Sequence, residues 1–276
     1  MQSATVSVLV IASKRDPAST NIVQSLVKHH GFTKNPDISE VLSYSNQAIT
    51  LLILEKEGIY VQPEDLPVRP ASIIFASKHR SSTNTPALTV HATGNLTAEA
   101  LYGGNSEQVS MVEPFRIRQA LIALKKEAET AGLEIDITME ATHHGPTSFP
   151  VPVCFVEIGS GPDQWQDPAL GHVAANAIIA AASNQEGRRT NAVGFGGTHY
   201  SYKLTRMCTE SDYQVGHIVP RRAFDANVSE QIISETFQKT VGLCKTALVD
   251  WKGLKSEQRR GLLDQLARWD IEAVRC

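Results

Sequence analysis

The chain has 276 residues, 42% of them hydrophobic and 20% charged, with a formal net charge of −3 at pH 7. That length can bury one large core or two modest ones and does not demand more than a single domain spanning residues 1–276. The charge excludes a surface that is basic all round, though not a local basic groove.

No run approaches the roughly 18 apolar residues that would span a bilayer, and the first segment lacks a signal pattern. The expectation is a soluble, cytoplasmic protein with no membrane partner and no DNA partner. Cys154, Cys208, Cys244 and Cys276 are widely spaced, so neither a disulfide framework nor a zinc ribbon is suggested. Cys154, inside "VPVCFVEI", reads as a small buried hydrophobe.

In chain order, "VSVLVIA" (6–12) reads as a buried strand and residues 19–30 as a helix. Lys28, His29 and His30 followed by Gly31 form a stop signal, which makes those two histidines structural. "ITLLILE" (49–55), "ASIIFAS" (71–77) and "ALTVHA" (87–92) are strand candidates. Residues 93–113 are long for a connection and are expected to form a binding loop. Pro114 opens a helix in which Ile117, Leu121, Leu124 and Ala128 repeat at helical spacing, ended by Gly132.

Strands follow at 134–140 and 151–158, then a helix capped by Asp167 with Pro168 as its first residue. That helix is small and apolar nearly all round, so it must pack deeply. Strands at 192–196 and in "YQVGHIVP" precede two final helices, about 229–241 and 256–268. Strands interleaved with helices, several of them continuously apolar, predict an α/β layered αβα fold with a mixed, largely parallel sheet. Small basic clusters, such as Lys78 with Arg80, Arg188 with Arg189, and Lys252 with Lys255, individually read as solvated faces.

Open α/β sheets bind ligands beyond the carboxyl ends of their strands, and His79, His91, His143, His144, His172 and His199 are all expected there. One histidine so placed is more often a surface or hydrogen-bonded residue than a catalyst. Six of the nine sharing that placement is the signal. Glu157 interrupts an apolar run on the strand face of Val153 and Phe155, where a carboxylate needs a cation, a metal or several donors. Glu140 offers the same readings. The glycine turns "HHGP", "GSGP" and "GFGGTH" could present N–H groups to an oxyanion. Imidazoles and carboxylates suit zinc, but no H-x-x-x-H spacing is present, so ligands would converge from separate loops. No nucleotide-binding glycine motif occurs.

Taken in order, "SKHR" (77–80), "TVHATGN" (89–95), "EATHHGPT" (140–147), "FVEIGS" (155–160), "GGTHY" (196–200), "GHIV" (216–219) and "DWKGLK" (250–255) resemble the archaeal and plant type of D-aminoacyl-tRNA deacylase. The resemblance implies a phosphorylase/hydrolase-like α/β fold, hydrolysis of the ester between a D-amino acid and tRNA, and an association with zinc. The chain departs from the family's pattern in two places: Thr198 replaces a usual glycine, and "HYSY" stands for "HYAP".

On this reading His143 and His144 activate water, as bases or through a metal, with Glu140 and His199 as further catalytic candidates. N–H groups near Gly145, Gly196 and Gly197 would hold the oxyanion, and Glu140 or Glu157 the substrate ammonium. Lys78, Arg80 and the "WKGLK" region would meet the tRNA backbone. Candidate zinc ligands are His79, His91, His143 and His144. Two alternatives stay open at this point: a metal-dependent amidase or peptidase acting on a small substrate, and a non-catalytic tRNA- or nucleoside-binding module.

Overall fold

The computed structural model describes residues 5–36, 41–46, 49–82, 84–183 and 189–276; Arg188 lies outside them. The elements run β1 (Thr5–Ser13), α1 (Pro17–His29), β2 (Thr33–Lys34), β3 (Leu42–Ser45), β4 (Ile49–Leu54), β5 (Arg69–Lys78), β6 (Ala87–His91), β7 (Gly94–Asn95) and β8 (Gln108–Val109). They continue with α2 (Pro114–Thr130), β9 (Asp136–Met139), β10 (Val153–Gly159), α3 (Pro162–Trp165), α4 (Pro168–Ala182), β11 (Thr190–Phe195), α5 (Tyr202–Glu210) and β12 (Tyr213–Val219). The chain closes with α6 (Arg221–Asp225), α7 (Glu230–Gln238), β13 (Cys244–Val249), α8 (Ser256–Arg268) and β14 (Glu272–Arg275).

The fold is α/β with a mixed, largely parallel main sheet. Eight strands lie in the order β2-β3-β4-β1-β5-β10-β6-β9, and a second sheet has the order β12-β11-β13-β14. β4, β1, β5 and β10 are mutually parallel, whereas β6 is antiparallel to β10 and carries β9 parallel to itself. The second sheet is wholly parallel.

Alternation along β10 sets the layers. Cys154, Val156 and Ile158 face Ile22 and Leu26 of α1, Leu121 and Leu124 of α2, and Val173 and Ile178 of α4. Val153 and Phe155 face the opposite way, packing with Leu9, Ile11, Ile73, Phe75 and Phe149. Period-two geometry therefore puts Glu157 on the face away from the helices. Phe155 has no exposed surface, and its truncation to alanine would cost about 3–5 kcal/mol.

α4 packs as deeply as its composition demands. Gly171 lets α1 approach so closely that a Cβ there would lie 2.2 Å from Asn21 Oδ1. Asn21 in turn donates to the carbonyls of Trp165 and Asp167 at 3.0 and 2.7 Å. No helix among the described residues is long and apolar enough to cross a membrane.

The expected helix after residue 229 is shorter than its periodicity suggests, and the sequence reading has no counterpart for the short elements β2, β3, β7, β8, α3 and α6, nor for α5, β13 and β14. The two sheets are stitched together by the segment after β9. Ala141 N–H donates to His199 O at 2.8 Å, Thr142 N–H to Ile218 O at 3.0 Å, and Ser201 N–H to Met139 O at 2.9 Å. This seam is where the histidines gather.

Candidate active site

Five chain segments supply the cluster, β10 giving Glu157 and the floor. β5 delivers His79 just beyond its end, β6 delivers His91, the seam delivers Glu140, His143 and His144, and the turn after β11 delivers His199. Phe155 is the floor: His91 stacks on it with ring centroids 5.3 Å apart, and His144 meets it edge-on at 5.0 Å. The His143 ring lies 4.3 Å from both His91 and His144 and 4.6 Å from His199.

Glu140 is 1% exposed and collects three imidazoles. Its carboxylate lies 3.0 Å from His79 Nδ1, 3.5 Å from His143 Nε2 and 2.6 Å from His199 Nε2. Glu157 lies 3.7 Å from His79 Nδ1 and 3.5 Å from His91 Nε2. Burial would raise both carboxyls, but His199 and His79 hold Glu140 well below the ordinary range, and His79 and His91 hold Glu157 at about 2. Burial likewise works against charging His79, yet the two carboxylates outweigh it and lift the imidazole to about 11. His91 moves the same way, because Glu157 overcomes its burial.

His143 and His144 go in the other direction. Burial, reinforced by the neighbouring imidazoles, pushes His143 well below its usual value and His144 to about 4. The cleft floor thus separates into a charged layer, His79 and His91 between two carboxylates, and a neutral pair with free lone pairs.

The neutral pair is held by its backbone. His144 adopts φ 43°, a left-handed conformation that costs a non-glycine residue about 1–3 kcal/mol. Gly94 N–H secures it by donating to the carbonyls of His143 and His144 at 3.2 and 2.8 Å. Each of His91, His143 and His144 donates Nδ1–H to a main-chain carbonyl, those of Ala92, Ala141 and Gly145, at 3.1, 2.8 and 2.6 Å. That leaves Nε2 on each ring.

Three sets of possible metal donors result among the described residues: His91, His143 and His144; Glu140, His143 and His199; and His79, Glu140 and Glu157, each with ligand atoms within 4.8 Å of one another. His91 Nε2, both Glu140 oxygens and His199 Nδ1 are buried without a hydrogen bond. The Glu140 oxygens are in ion-pair range of three imidazoles without a hydrogen bond of regular geometry, and such a gathering of buried imidazole and carboxylate donors fits a bound cation.

The predicted residues His79, His91, His143, His144, His199, Glu140 and Glu157 thus come together, for a different reason from the one expected. Because β6 is antiparallel to β10, His91 is not at a rim shared with His79; it pairs across from Phe155 midway along β10. His172 does not join them. It lies on the exposed side of α4, where its ring meets His29 at 4.8 Å and Nδ1 meets Ser25 Oγ at 3.2 Å.

The glycine N–H groups are not free to hold an oxyanion. Those of Gly145, Gly196 and Gly197 donate to the carbonyls of Tyr102, Val219 and Gly253 at 3.0, 2.9 and 3.3 Å. Gly196 and Gly197 line a separate groove with Lys252. Glu140 is already enclosed by imidazoles, so it orients them rather than meeting an ammonium. Lys78 lines the cleft but is paired with Glu57 at 2.6 Å, while Arg80 is exposed at the rim.

Two residues carry more than sequence reasoning assigned them. Tyr200 Oη is 2.6 Å from His79 Nε2, and its place beside His199 in "GGTHY" was the available signal. His217 is fully buried, touching Thr142 Oγ1 at 3.2 Å and Ser110 O at 3.0 Å. Burial holds it at about 4, so it braces the seam as a neutral imidazole.

The cleft above the cluster has two lobes, about 560 and 480 Å³, sharing Tyr102, His143, His144 and His199. Both fall within the range of roughly 300–1,000 Å³ usual for small-ligand sites.

The sequence profile of the family described as D-aminoacyl-tRNA deacylase matches residues 67–274. The D-aminoacyl-tRNA deacylase of Thermococcus kodakarensis is 34% identical over 262 residues, covering 91% of this chain and 93% of its own. That of Methanosarcina acetivorans is 32% identical over 278 residues, covering 97% and 92%. Among solved structures, a conserved protein of unknown function superposes with a TM-score of 0.88 at 25% identity, covering 98% of this chain and 95% of that one.

Proposed function

The chain belongs to the D-aminoacyl-tRNA deacylase family, and we propose that the histidine–glutamate cleft is where it hydrolyses the ester joining a D-amino acid to the terminal ribose of tRNA. Water adds to the ester carbonyl, and the tetrahedral intermediate collapses to free amino acid and the ribose hydroxyl. The tRNA returns to aminoacylation, so the activity belongs in the cytoplasm.

The observation that carries this assignment is the Glu140–His199 pair. Nε2 of His199 is 2.6 Å from the carboxylate, which orients the ring and leaves Nδ1 without a partner. An imidazole ordered by a buried carboxylate is the arrangement of a general base. His199 takes the proton of the attacking water and returns it to the ribose oxygen as the ester bond breaks. His144, held near 4, is too weak a base for that task at neutral pH.

His91, His143 and His144 are better suited as ligands. Their Nδ1 atoms are committed to carbonyls, the second contact that fixes the tautomer of metal-bound histidines, and three imidazoles form a donor set that zinc accepts. A zinc ion, when bound there, supplies charge that acidifies water and polarises a carbonyl. Binding requires His91 to give up its proton to Nε2 ligation.

Replacing His199 by asparagine tests the assignment. Turnover of D-aminoacyl-tRNA is expected to fall by about 10² or more with little change in KM. Undiminished turnover would place the base elsewhere.

A further inference from the structure

The two lobes of the cleft differ in chemistry. One has an aliphatic wall of Leu96, Leu101, Ala223 and Ala226 beside the histidines and also carries Glu99 and Arg222. The other is lined by Tyr60, Tyr102, Lys78 and Arg80. Tyr60 and Tyr102 are 44% and 64% exposed. Lone aromatic rings on a surface need no explanation, but these two stand on an unusually constrained backbone next to the reacting groups.

That constraint is built from glycine. A Cβ on Gly103 would fall 2.1 Å from Ile59 O, and one on Gly145 would fall 2.3 Å from Gly104 N. The segments carrying Tyr60, Tyr102 and His144 are therefore in direct backbone contact, a closeness no other residue permits. Gly145 N–H also donates to Tyr102 O at 3.0 Å. Both tyrosines are thereby referenced to the turn that holds His144, while their rings remain in solvent.

Building on the deacylase reading, we propose that the tyrosine lobe is the subsite for the terminal adenosine of tRNA and that the aliphatic wall of the other lobe receives the amino-acid side chain. The 3′ end of tRNA is single-stranded, and its bases can be splayed onto aromatic faces. A base stacked on tyrosine strengthens binding by roughly tenfold or more. Lys78 is neutralised by Glu57, which leaves Arg80 as the exposed cation of the lobe to meet a phosphate. The other lobe has no comparable pair of exposed rings, and its aliphatic wall tolerates side chains of different size. Tyr102, lining both lobes, marks the boundary between nucleoside and amino acid.

The test compares the wild type with Tyr60→Ala, Tyr102→Ala and Tyr102→Phe. Two measurements are made: hydrolysis of D-aminoacyl-tRNA against the methyl ester of the same D-amino acid, and direct binding of adenosine 5′-monophosphate by NMR titration. The alanine variants are expected to lower the preference for tRNA over methyl ester, as a ratio of kcat/KM, about tenfold and to weaken nucleotide binding; Tyr102→Phe restores both. Equal loss on both substrates, which leaves the ratio unmoved, would mean that the tyrosines only hold the loop, and would overturn the subsite. So would unchanged nucleotide binding in the alanine variants. A wild type that binds the nucleotide through these tyrosines but does not cleave D-aminoacyl-tRNA would instead overturn the deacylase assignment alone.

Discussion

Glu140 and His199 meet at 2.6 Å although one follows a strand of the large sheet and the other a strand of the small one. Their contact exists because the backbone between them is shared: Ala141 N–H donates to His199 O. The proposed catalytic pair is thus part of the joint between sheets, not of a loop laid over it. Glu140→Gln keeps the shape and removes the charge that orients His199. Turnover should fall by about 10² or more while the fold is retained, checked by kcat and KM together with circular dichroism. A normal kcat would show that the carboxylate is only structural.

Alanine at His143 or at His144 should lower turnover by about 10² or more, since each removes a lone pair from the cleft floor. Near-normal rates in both variants would move the chemistry away from the "HHGP" turn.

Metal binding can be read without turnover. Protein stripped with chelator and titrated with zinc against a chromophoric competitor should bind the ion, and His91→Asn should weaken that binding at least 10-fold. Zinc uptake should release protons, because Glu157 beside His91 outweighs its burial and favours the protonated imidazole before the ion arrives. Affinity unaffected by the substitution would remove His91 from the ligand set.

The buried neutral histidines predict an acid limb of stability. Burial holds His217 and His144 at about 4 in the folded protein, against about 6.5 when unfolded. Below about 6.5 the unfolded chain therefore binds protons that the native state refuses, so stability falls as pH drops from about 6.5 toward 4 and levels off for these groups beneath that. His79, raised to about 11 by its carboxylates, acts oppositely: its contribution is complete below about 6.5 and is lost as pH rises through 11. Urea midpoints measured from pH 7 to 4.5 should decline, and His217→Asn should flatten the slope. A level profile would contradict the buried neutral state.

Much of this was legible in the sequence where a single segment carried the signal. The polar interruption at Glu157 in "VPVCFVEIGS" put a carboxylate on an apolar face, and β10 places it there. The continuous apolar runs of β1, β4 and β5 read as buried strands because neighbours cover both faces. Strand direction was not legible: nothing local in "ALTVHA" says that β6 opposes β10, so the histidines converge across a seam instead of along one rim. His172 was misplaced for a related reason. Its turn of α4 buries Leu170, Val173 and Ala174, which leaves residue 172 on the outer face, and helical phase against a distant partner decides that. α5 was hidden by its brevity, with Leu204, Thr205 and Cys208 as its buried positions.

Recognition of tRNA should be electrostatic as well as aromatic. Affinity is expected to fall steeply between about 50 and 200 mM salt, because phosphates neutralised by basic side chains release counterions. Arg80→Ala should reduce the slope, read from filter binding over that range. Salt-independent binding would favour a small substrate for the same cleft.

The central claim is that one rigid cleft sorts substrates by the hand of the α-carbon. All its substrates share the ester carbonyl, the α-ammonium and the terminal adenosine, and the "HHGP" turn is fixed by Pro146 and by the hydrogen bonds around His144. With the carbonyl at the histidines and the adenosine in the proposed tyrosine lobe, one hand would direct its side chain along the aliphatic wall of the other lobe and the other hand into that turn. A clash of roughly 3–5 kcal/mol corresponds to discrimination of about 10² to 10³ or more. The deciding measurement is deacylation of tRNA charged with the D and L forms of one small and one large amino acid, by the metal-loaded protein. The D form of both should be released at least 10² faster than the L form; equal release of the two hands, or a preference by size exceeding the preference by hand, would contradict the account.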